Sequence, residues 1–231
     1  MVKISGLQKT TLIDYPGKIA ATVFTGGCNF RCPYCHNASI VLDTGNINDI
    51  SDEELFDFLL RRKGLLDGVC ISGGEPLLHD DIRQFIERIK AIGFLVKLDT
   101  NGSFPSRLKE LVNDGLIDYV AMDIKNSPAG YPRTAGISEN MLPKIEESVA
   151  FLLEGNVDYE FRTTVVREFH TIEDLLEIGK WIKGARRYYI QDFIDSGDLI
   201  KPGLTAVDKS MLKSFAEIVR KYVPSVQIRY L

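Results

Sequence analysis

The stretch TVFTGGCNFRCPYCHN, residues 22–37, places three of the chain's four cysteines within eight residues, directly after an apolar run and a Gly-Gly pair. Cys28, Cys32 and Cys35 have the spacing C-x-x-x-C-x-x-C, and a loop with this spacing can hold one face of an iron–sulfur cube. Thiolate is the preferred ligand of such clusters. A 4Fe-4S cube has four irons, so three thiolates leave one iron with an open coordination position.

A structural zinc site formed by these three cysteines and the adjacent His36 is the competing interpretation. Structural zinc sites usually join two separated ligand pairs, whereas these four residues lie within nine positions. His36 directly follows Cys35 and is therefore poorly placed to bind the same metal ion. The fourth cysteine, Cys70, lies inside the apolar run GVCIS, where a small buried side chain is expected. The pattern favours one 4Fe-4S cluster on Cys28, Cys32 and Cys35.

Length and composition are those of a globular α/β protein. The chain has 231 residues, of which 45% are hydrophobic and 26% charged, enough to form the core of one barrel domain. A formal net charge of -4, with scattered Lys and Arg, gives no basic surface for nucleic acid or an anionic membrane. The N-terminus lacks the apolar core of a secretory signal, and no apolar run approaches membrane-spanning length. We therefore expect a cytoplasmic protein whose thiols stay reduced.

Short β-branched runs alternate along the chain with segments of helical period, which predicts repeated βα units. The predicted strands are 19–24, 68–72, 94–99, 119–124, 159–166 and 188–192. Six units fall short of the eight that close a barrel, so the predicted fold is α/β, an incomplete parallel (β/α)6 barrel with helices outside. We expect one domain over residues 1–231: an N-terminal segment at 1–18, the six units at 19–192, and a last helix with a short closing strand at 193–231.

Helix boundaries have local signals of their own. Ser51 with Glu54 has the pattern of a capping box, so a helix is expected to begin there. Gly93 follows an apolar helical stripe and is expected to end that helix.

Polar motifs follow the predicted strands at their carboxyl ends, where parallel βα folds collect their chemistry. After the cysteine loop these motifs are SGGEP (72–76), LDTNG (98–102), MDIK (122–125), FRTTVV (161–166) and IQD (190–192). Each motif alone is also ordinary turn chemistry, but together they would converge on one rim. Asp123 and Lys125 are two positions apart in a strand and share a face, so both can reach a ligand at that rim.

Two of these motifs resemble a known family. The cysteine loop, with Tyr34 as the aromatic residue before the third cysteine, and SGGEP resemble the radical S-adenosylmethionine superfamily. The longer stretch LIDYPGKIAATVFTGGCNFRCPYCHN, residues 12–37, resembles the glycyl-radical-enzyme activases, and most closely the activating proteins of anaerobic ribonucleoside-triphosphate reductase. The resemblance covers nearly the whole chain and implies an incomplete barrel of the radical S-adenosylmethionine type.

The resemblance implies that S-adenosylmethionine is the cosubstrate and that its methionine amino and carboxylate groups bind the open iron. It places Tyr34 and His36 on the adenine side, with Tyr34 offering a stacking face. The methionine ammonium is expected at Gly73, Gly74 and Glu75, where a turn without Cβ atoms exposes its carbonyl groups.

The resemblance also implies cofactor contacts from the later strands: Asn101, Asp123, Ile124, Lys125 and Arg162. Asp123 and Lys125 would line the ribose and carboxylate region, although a solvated strand-end lysine is the alternative for Lys125. The guanidinium of Arg162 can bind the methionine carboxylate through two hydrogen bonds, with an ion pair to Glu160 or another acid as the alternative. Asp99 and Asp123 are also candidates to hold a monovalent cation, as in some relatives.

In the activases, an aspartate in the turn before the first strand faces the glycyl loop of the partner enzyme, and Asp14 matches it. We expect this turn to lie beside the cysteine loop. The alternative is an Asx-type turn that only sets the start of the strand. His79 and His170 precede predicted helices and are expected to be solvated neighbours of helix caps.

The resemblance implies an oxidoreductase that reductively cleaves S-adenosylmethionine to a 5′-deoxyadenosyl radical and installs a glycyl radical on anaerobic ribonucleoside-triphosphate reductase. The electron would come from a low-potential donor such as flavodoxin or ferredoxin. Three alternatives stay open. They are an activase of another glycyl-radical enzyme such as pyruvate formate-lyase, a radical S-adenosylmethionine enzyme acting on a small molecule, as deazaguanine synthases do, and a non-enzymatic zinc or iron–sulfur module.

Overall fold

The computed structural model describes residues 2–42 and 50–230. In this part of the chain one sheet carries, in chain order, the strands β1 Ile4–Thr11, β2 Ala20–Thr25, β3 Gly68–Gly73, β4 Leu95–Thr100, β5 Tyr119–Asp123, β6 Asp158–Val165, β7 Tyr188–Asp192 and β8 Val226–Arg229. The helices are α1 Ala38–Leu42, α2 Asp52–Arg61, α3 Ile82–Ile92, α4 Pro105–Asn113, α5 Tyr131–Ala135, α6 Leu142–Leu153, α7 Ile172–Trp181 and α8 Lys209–Arg220. Short 3-10 turns lie at Pro76–Leu78 and Glu139–Met141.

Strands β2 to β8 run parallel, each paired with the next along the chain. The edge strands β1 and β8 do not pair with each other among the described residues, so the barrel stays open. Every predicted strand lies within one residue of its observed bounds, and the closing strand is present as β8. The predicted incomplete parallel barrel is confirmed.

The N-terminal segment departs from the prediction, because it forms β1, which pairs antiparallel with β2. Its sequence ISGLQKTT contains a glycine and three consecutive exposed polar residues, as suits an edge strand, and so lacks the apolar pattern of the other strands. Thr11 pairs with Ala20 and Ile4 with Thr25, so the loop between β1 and β2 lies at the amino end of β2. The cysteine loop follows the other end. The prediction that the turn of Asp14 lies beside the cysteine loop is therefore wrong.

The helix ends follow the local sequence signals. Ser51 Oγ accepts a hydrogen bond from the N–H of Glu54 at 3.2 Å, and the Glu54 carboxylate accepts one from the N–H of Ser51 at 3.0 Å. This capping box begins α2. Gly93 has φ 110°, in the left-handed region, and ends α3. Both predictions are confirmed. None of the helices in residues 2–42 and 50–230 has the length and apolar character to span a bilayer.

The two faces of the sheet differ in chemistry because side chains alternate along each strand. On β4, Leu98 points outward into the apolar core between sheet and helices, whereas Lys97 and Asp99 point into the barrel. Near the amino ends of the strands the rings of Tyr15 and Tyr119 pack together, with centroids 6.0 Å apart. The polar part of the interior therefore lies towards the carboxyl ends.

Candidate active site

A cavity of about 250 Å³ lies at the carboxyl ends of the parallel strands. The predicted site residues that line it are Cys28, Cys32, Tyr34, Cys35, His36, Gly73, Gly74, Asn101, Asp123, Lys125 and Arg162. Asp99 also lines it, as do Thr164 and Gln191, which lie within the strand-end motifs but were not singled out from the sequence. The strand-end motifs thus meet around one cavity, as expected.

Backbone contacts fix the cysteine loop. The N–H of Cys35 donates to the carbonyl of Cys32 at 3.0 Å, which closes a turn between these two thiols. The N–H of Arg31 donates to the carbonyl of Ala135, at the end of α5, at 3.0 Å. A Cβ on Gly136 would lie only 2.5 Å from the Arg31 carbonyl oxygen. The loop is therefore held against the end of α5, and a side chain at position 136 would displace it.

The side chain of Asn101 holds the cysteine loop from the side of β4. Its Oδ1 accepts hydrogen bonds from the N–H of Ser103 at 2.9 Å and from the Ser103 hydroxyl at 2.6 Å, which fixes the orientation of the amide. Nδ2 therefore faces the loop, where it donates to Asn29 Oδ1 at 3.0 Å and to Cys28 Sγ at 3.8 Å. The N–H of Phe30 donates to the same sulfur at 3.3 Å. Hydrogen bonds to a thiolate stabilise its charge and influence the potential of an iron–sulfur cluster.

The glycines of SGGEP have no room for side chains. Gly73 has φ 109°, and a Cβ there would meet the backbone nitrogen of Thr25 at 2.4 Å. A Cβ on Gly74 would lie 1.8 Å from the carbonyl oxygen of Gly27. The Gly73 carbonyl accepts a hydrogen bond from Nδ2 of Asn37 at 3.1 Å. The turn after β3 therefore packs directly on the backbone of the cysteine loop, which requires both glycines.

Glu75 lies beneath this turn and does not line the cavity. Its fully buried carboxylate accepts hydrogen bonds from the N–H of Leu77 at 3.1 Å, the hydroxyl of Thr100 at 2.8 Å and the N–H of Asn101 at 2.6 Å. Burial raises the pKa of Glu75 to about 7, against the lowering effect of these donors. The side chain joins the loops after β3 and β4 rather than facing a methionine ammonium. Ile124 is likewise fully buried, in the apolar core, and its side chain does not line the cavity.

Charged side chains at the ends of β4, β5 and β6 bind one another. Arg162 donates from Nε to Asp123 at 2.9 Å and from Nη1 to Asp99 at 3.2 Å. Lys125 donates to the second oxygen of Asp123 at 2.9 Å. Burial alone would raise the pKa of Asp123, but Arg162 and Lys125 outweigh it and lower that pKa to about 2. The ion-pair alternative for Arg162 is therefore present, with Asp99 and Asp123 as partners, whereas Glu160 bonds to other residues.

Tyr34 and His36 carry polar atoms without a protein partner. Both residues line the cavity, and the Tyr34 hydroxyl and Nε2 of His36 are buried without a hydrogen bond. The His36 ring is stacked on Phe193, with centroids 5.5 Å apart and 21° between the planes. Buried polar groups without a partner are rare in native proteins, so these two atoms fit a place that a polar ligand fills. The expected adenine side of S-adenosylmethionine is such a ligand.

The three thiols fit a cluster better than a single ion. Burial raises the pKa of Cys28 to about 11 and that of Cys32 to about 12, so they ionise only beside a compensating positive charge such as a metal centre. A zinc ion needs each thiolate about 2.3 Å from one point. No three His, Cys, Asp or Glu side chains within residues 2–42 and 50–230 are arranged to hold one ion. A cube instead distributes its thiolates over separate irons, which suits three thiols that do not converge on one point.

Asp14 reaches into the barrel from the end opposite the cysteine loop. Its carboxylate accepts a hydrogen bond from the hydroxyl of Thr22 at 2.5 Å, not from the backbone of its own turn. Thr22 is paired in register with Cys70 on β3. Cys70 is fully buried, as predicted, but its Sγ lies 3.7 Å from Lys97 Nζ and from Asp99 Oδ1, so its surroundings are polar.

Two histidines serve the structure around the site. His170 is buried, with Nε2 2.9 Å from the carbonyl oxygen of Lys125 and Nδ1 3.1 Å from the backbone nitrogen of Val166. His79 is partly buried, with Nε2 3.0 Å from the carbonyl oxygen of Gly26, before the cysteine loop. The prediction of a solvated side chain is wrong for His170 and holds only in part for His79. Their partners are distant in the chain, so no local pattern indicates them.

Comparison with known proteins agrees with this site. Residues 22–182 match the family model of the Radical SAM superfamily. A protein of Methanocaldococcus jannaschii, named as a candidate glycyl-radical enzyme activating enzyme, is 35% identical over 235 residues, which cover 98% of this chain and 95% of the relative. The pyruvate formate-lyase-activating enzyme of Clostridium pasteurianum is 35% identical over 134 residues, which cover 54% of this chain and 53% of that enzyme.

A solved structure shows the same fold. Native anSMEcpe with bound AdoMet aligns with a TM-score of 0.62 at 17% identity, over 88% of this chain and 61% of that chain. Radical S-adenosylmethionine enzymes use a 4Fe-4S cluster and S-adenosylmethionine, and the three-thiol cavity with its unpartnered polar atoms fits both groups. This chain belongs to the radical S-adenosylmethionine superfamily, as a homologue of the glycyl-radical-enzyme activating enzymes.

Proposed function

We propose that the chain is a cytoplasmic, single-domain activase that reductively cleaves S-adenosylmethionine to a 5′-deoxyadenosyl radical and installs a glycyl radical on anaerobic ribonucleoside-triphosphate reductase. The observation that carries the proposal is one cavity that combines three thiols with the cationic side chains of Lys125 and Arg162. Three thiols suit a cluster with one open iron, and the two cations suit the carboxylate of a bound amino acid moiety.

Different residues around the cavity are expected to hold the 4Fe-4S cluster and S-adenosylmethionine. When bound, the cluster supplies the electron that cleaves the carbon–sulfur bond of the sulfonium. Cys28, Cys32 and Cys35 would each hold one of its irons. Asn101 and the N–H of Phe30 donate to Cys28 Sγ and help to hold this ligand in place. Three thiolates would leave one iron of such a cluster without a protein ligand and available to S-adenosylmethionine.

Recognition of S-adenosylmethionine follows from unused hydrogen-bonding capacity. The Lys125 ammonium has three N–H groups and donates one of them to Asp123, so it can also donate to a carboxylate. The Gly73 carbonyl accepts from Asn37 and keeps a second lone pair for an ammonium group. Tyr34 and His36 offer a free hydroxyl and a free ring nitrogen on the side expected for adenine.

The choice of partner enzyme rests on the turn that contains Asp14 and on the cysteine loop. The stretch at 12–37 resembles the activating proteins of anaerobic ribonucleoside-triphosphate reductase and supports that enzyme as the protein substrate. The relative from Clostridium pasteurianum supports pyruvate formate-lyase as the second candidate. A low-potential donor such as flavodoxin or ferredoxin supplies the electron. We propose no nucleic acid or membrane partner, because a net charge of -4 with scattered Lys and Arg gives no basic surface for either.

Anaerobic reconstitution tests the proposal. The protein is loaded with iron and sulfide, reduced, and mixed with S-adenosylmethionine and either candidate glycyl-radical enzyme. Electron paramagnetic resonance then measures the glycyl radical, and chromatography measures 5′-deoxyadenosine. We expect a radical on the reductase in excess of that on pyruvate formate-lyase. Cleavage of S-adenosylmethionine without a radical on either enzyme would favour the small-molecule alternative, and no cleavage would favour the non-enzymatic module.

A further inference from the structure

Lys97 is a buried ionisable residue to which the proposed reaction gives no role. It lies in the middle of β4 with 1% of its surface exposed and points into the barrel. Lysine is almost never fully buried unless its charge is paired. Its ammonium donates to Oδ1 of Asp99 and to Cys70 Sγ, the latter at 3.7 Å. A charge at this position therefore acts directly on Asp99, which lines the cavity.

Lys97 completes a row of alternating charges beneath the cavity. The row runs Lys97, Asp99, Arg162, Asp123 and Lys125, each in contact with the next. Each carboxylate oxygen in the row accepts from its own charged group: Lys97 and Arg162 Nη1 at Asp99, and Arg162 Nε and Lys125 at Asp123. Three cations thus face two carboxylates, and the row has one excess positive charge before any ligand binds.

The pair of Lys97 and Asp99 stays ionised at neutral pH. Burial lowers the pKa of Lys97, but the charge of Asp99 leads the opposing effects and the net shift is upward. Burial raises the pKa of Asp99, but Arg162 and Lys97 outweigh it and the net shift is downward. The ammonium and the carboxylate therefore stabilise each other's charged forms.

The carboxylates of Asp99 and Asp123 leave no unbalanced negative charge for a monovalent metal ion, because each of their oxygens already accepts from a cationic side chain. Such an ion binds oxygen ligands, and carboxylates attract it only where other cations leave their charge unbalanced. Oδ1 of Asp99 already binds Lys97, and Oδ2 accepts from Arg162 at 3.2 Å and from the Ser72 hydroxyl at 3.1 Å. We propose that Lys97 is a resident counter-cation, whose ammonium takes the place of a monovalent metal ion beside Asp99. It is a positioning residue that keeps Asp99 and Arg162 in register for S-adenosylmethionine without such an ion.

Removal of the ammonium alone should create a dependence on metal ions. Lys97→Met keeps the unbranched stem as far as Cε but leaves Asp99 Oδ1 without its cation, and a buried pair broken on one side is strongly destabilised. A potassium or sodium ion can then compensate the carboxylate. The double variant Lys97→Met/Asp99→Asn removes the charge from both sides and should show no such response.

The experiment uses wild type and both variants, each reconstituted with the cluster under anaerobic conditions. The midpoint of thermal unfolding and the Kd for S-adenosylmethionine are measured in potassium, sodium and choline chloride at equal ionic strength. We expect wild type to give the same values in all three salts. We expect Lys97→Met to bind about ten-fold more weakly in choline and to recover much of its affinity and midpoint in potassium or sodium. The double variant should be indifferent to the salt.

Stabilisation of wild type by potassium or sodium relative to choline would overturn the proposal. The same holds if Lys97→Met has the same unfolding midpoint and Kd in all three salts. If Lys97→Met does not fold, folding of the double variant supports the proposal, because the unpaired charge was then at fault. Failure of both variants overturns it, since the packing of the lysine stem would then be what matters. The unfolding midpoint does not depend on the reaction or the partner, so this test stays decisive if the activase proposal fails.

Discussion

The carboxylate of Glu75, in the loop after β3, accepts a hydrogen bond from the N–H of Asn101, in the loop after β4, at 2.6 Å. Asn101 in turn donates to Cys28 Sγ at 3.8 Å. A fully buried acid thus supports a proposed cluster ligand through one intermediate residue. SGGEP therefore has two tasks: its glycines touch the cysteine loop directly, and its acid acts on the same loop through Asn101.

Stability should depend on pH through Glu75. Burial raises its pKa to about 7 from an ordinary 4.5, so between these values the folded protein keeps a proton that the unfolded chain releases. The contribution of Glu75 is therefore fully present below the lower value and is lost as pH rises through the upper one. Urea unfolding of the cluster-free protein should show a fall of roughly 3 kcal/mol over this window that Glu75→Gln lacks, because the amide cannot ionise.

The matched control for this prediction is Glu53→Gln, on the exposed face of α2, which should keep the wild-type dependence on pH. Identical pH profiles for wild type and Glu75→Gln would mean that the carboxylate stays ionised throughout and that its three donors dominate over burial.

Cluster content should depend on three cysteines and not on the fourth. Cys28, Cys32 and Cys35 line the cavity, whereas Cys70 is fully buried inside β3. Serine at any of the first three positions should abolish the 4Fe-4S cluster, because a hydroxyl is a poor replacement for thiolate at iron. Cys70→Ser should retain it. Iron and sulfide analysis with visible absorption measures the outcome. A cluster lost only in the Cys70 variant would reverse the assignment, and stoichiometric zinc without iron uptake would revive the zinc alternative.

The parts of the fold that could be predicted are those that depend on short stretches of neighbouring residues. Alternating apolar runs gave the parallel strands, and polar motifs directly after them gave the rim around the cavity. The strand β1 was not predicted from the sequence, because an edge strand needs no apolar pattern at its exposed positions. The predicted position of Asp14 was wrong for the same reason. Because β1 runs antiparallel to β2, the loop that joins them lies at the amino end of β2, away from the cysteine loop.

Long-range contacts account for the remaining differences at the site. Glu75 was expected to face the cosubstrate, but its partners Thr100, at the end of β4, and Asn101, in the loop after it, turn it inward. His170 is buried by its contact with Lys125, 45 positions away. Lys97 carried a local signal, a lysine two positions before Asp99 within an apolar strand, and its role became visible only with the charge row in place.

Binding of S-adenosylmethionine should depend on the shape of Arg162 as well as its charge. The guanidinium spans Asp123 and Asp99 through two different nitrogens, at 2.9 Å and 3.2 Å. A lysine has one nitrogen and cannot span both carboxylates while meeting a ligand carboxylate. We expect Arg162→Lys to weaken binding about ten-fold and Arg162→Ala more, with the cluster retained and with a lower unfolding midpoint in Arg162→Ala because two buried carboxylates lose a cation. Anaerobic calorimetry measures the Kd.

The control for this prediction is Arg83→Ala, because Arg83 lies on the surface in ion pairs with Glu87 and Asp114. Its Kd should equal that of wild type. Unchanged binding in Arg162→Lys would show that only the positive charge is used, and unchanged binding in Arg162→Ala would remove Arg162 from the proposed site.

Transfer of the radical should depend on Asp14, which reaches the barrel interior from the end opposite the cysteine loop. A glycyl loop that entered from that end would bring buried backbone groups that need hydrogen-bond partners, and the carboxylate would accept from their N–H groups. We predict that Asp14→Ala keeps the cluster and slow cleavage of S-adenosylmethionine, but installs about ten-fold less glycyl radical on anaerobic ribonucleoside-triphosphate reductase.

Thr22→Val is the matched control, because it removes the 2.5 Å hydrogen bond to Asp14 and leaves the carboxylate in place. Its radical yield, measured by electron paramagnetic resonance, should stay near wild type. An equal loss in both variants would mean that Asp14 only ties its loop to β2, and a full yield from Asp14→Ala would mean that the partner does not contact it.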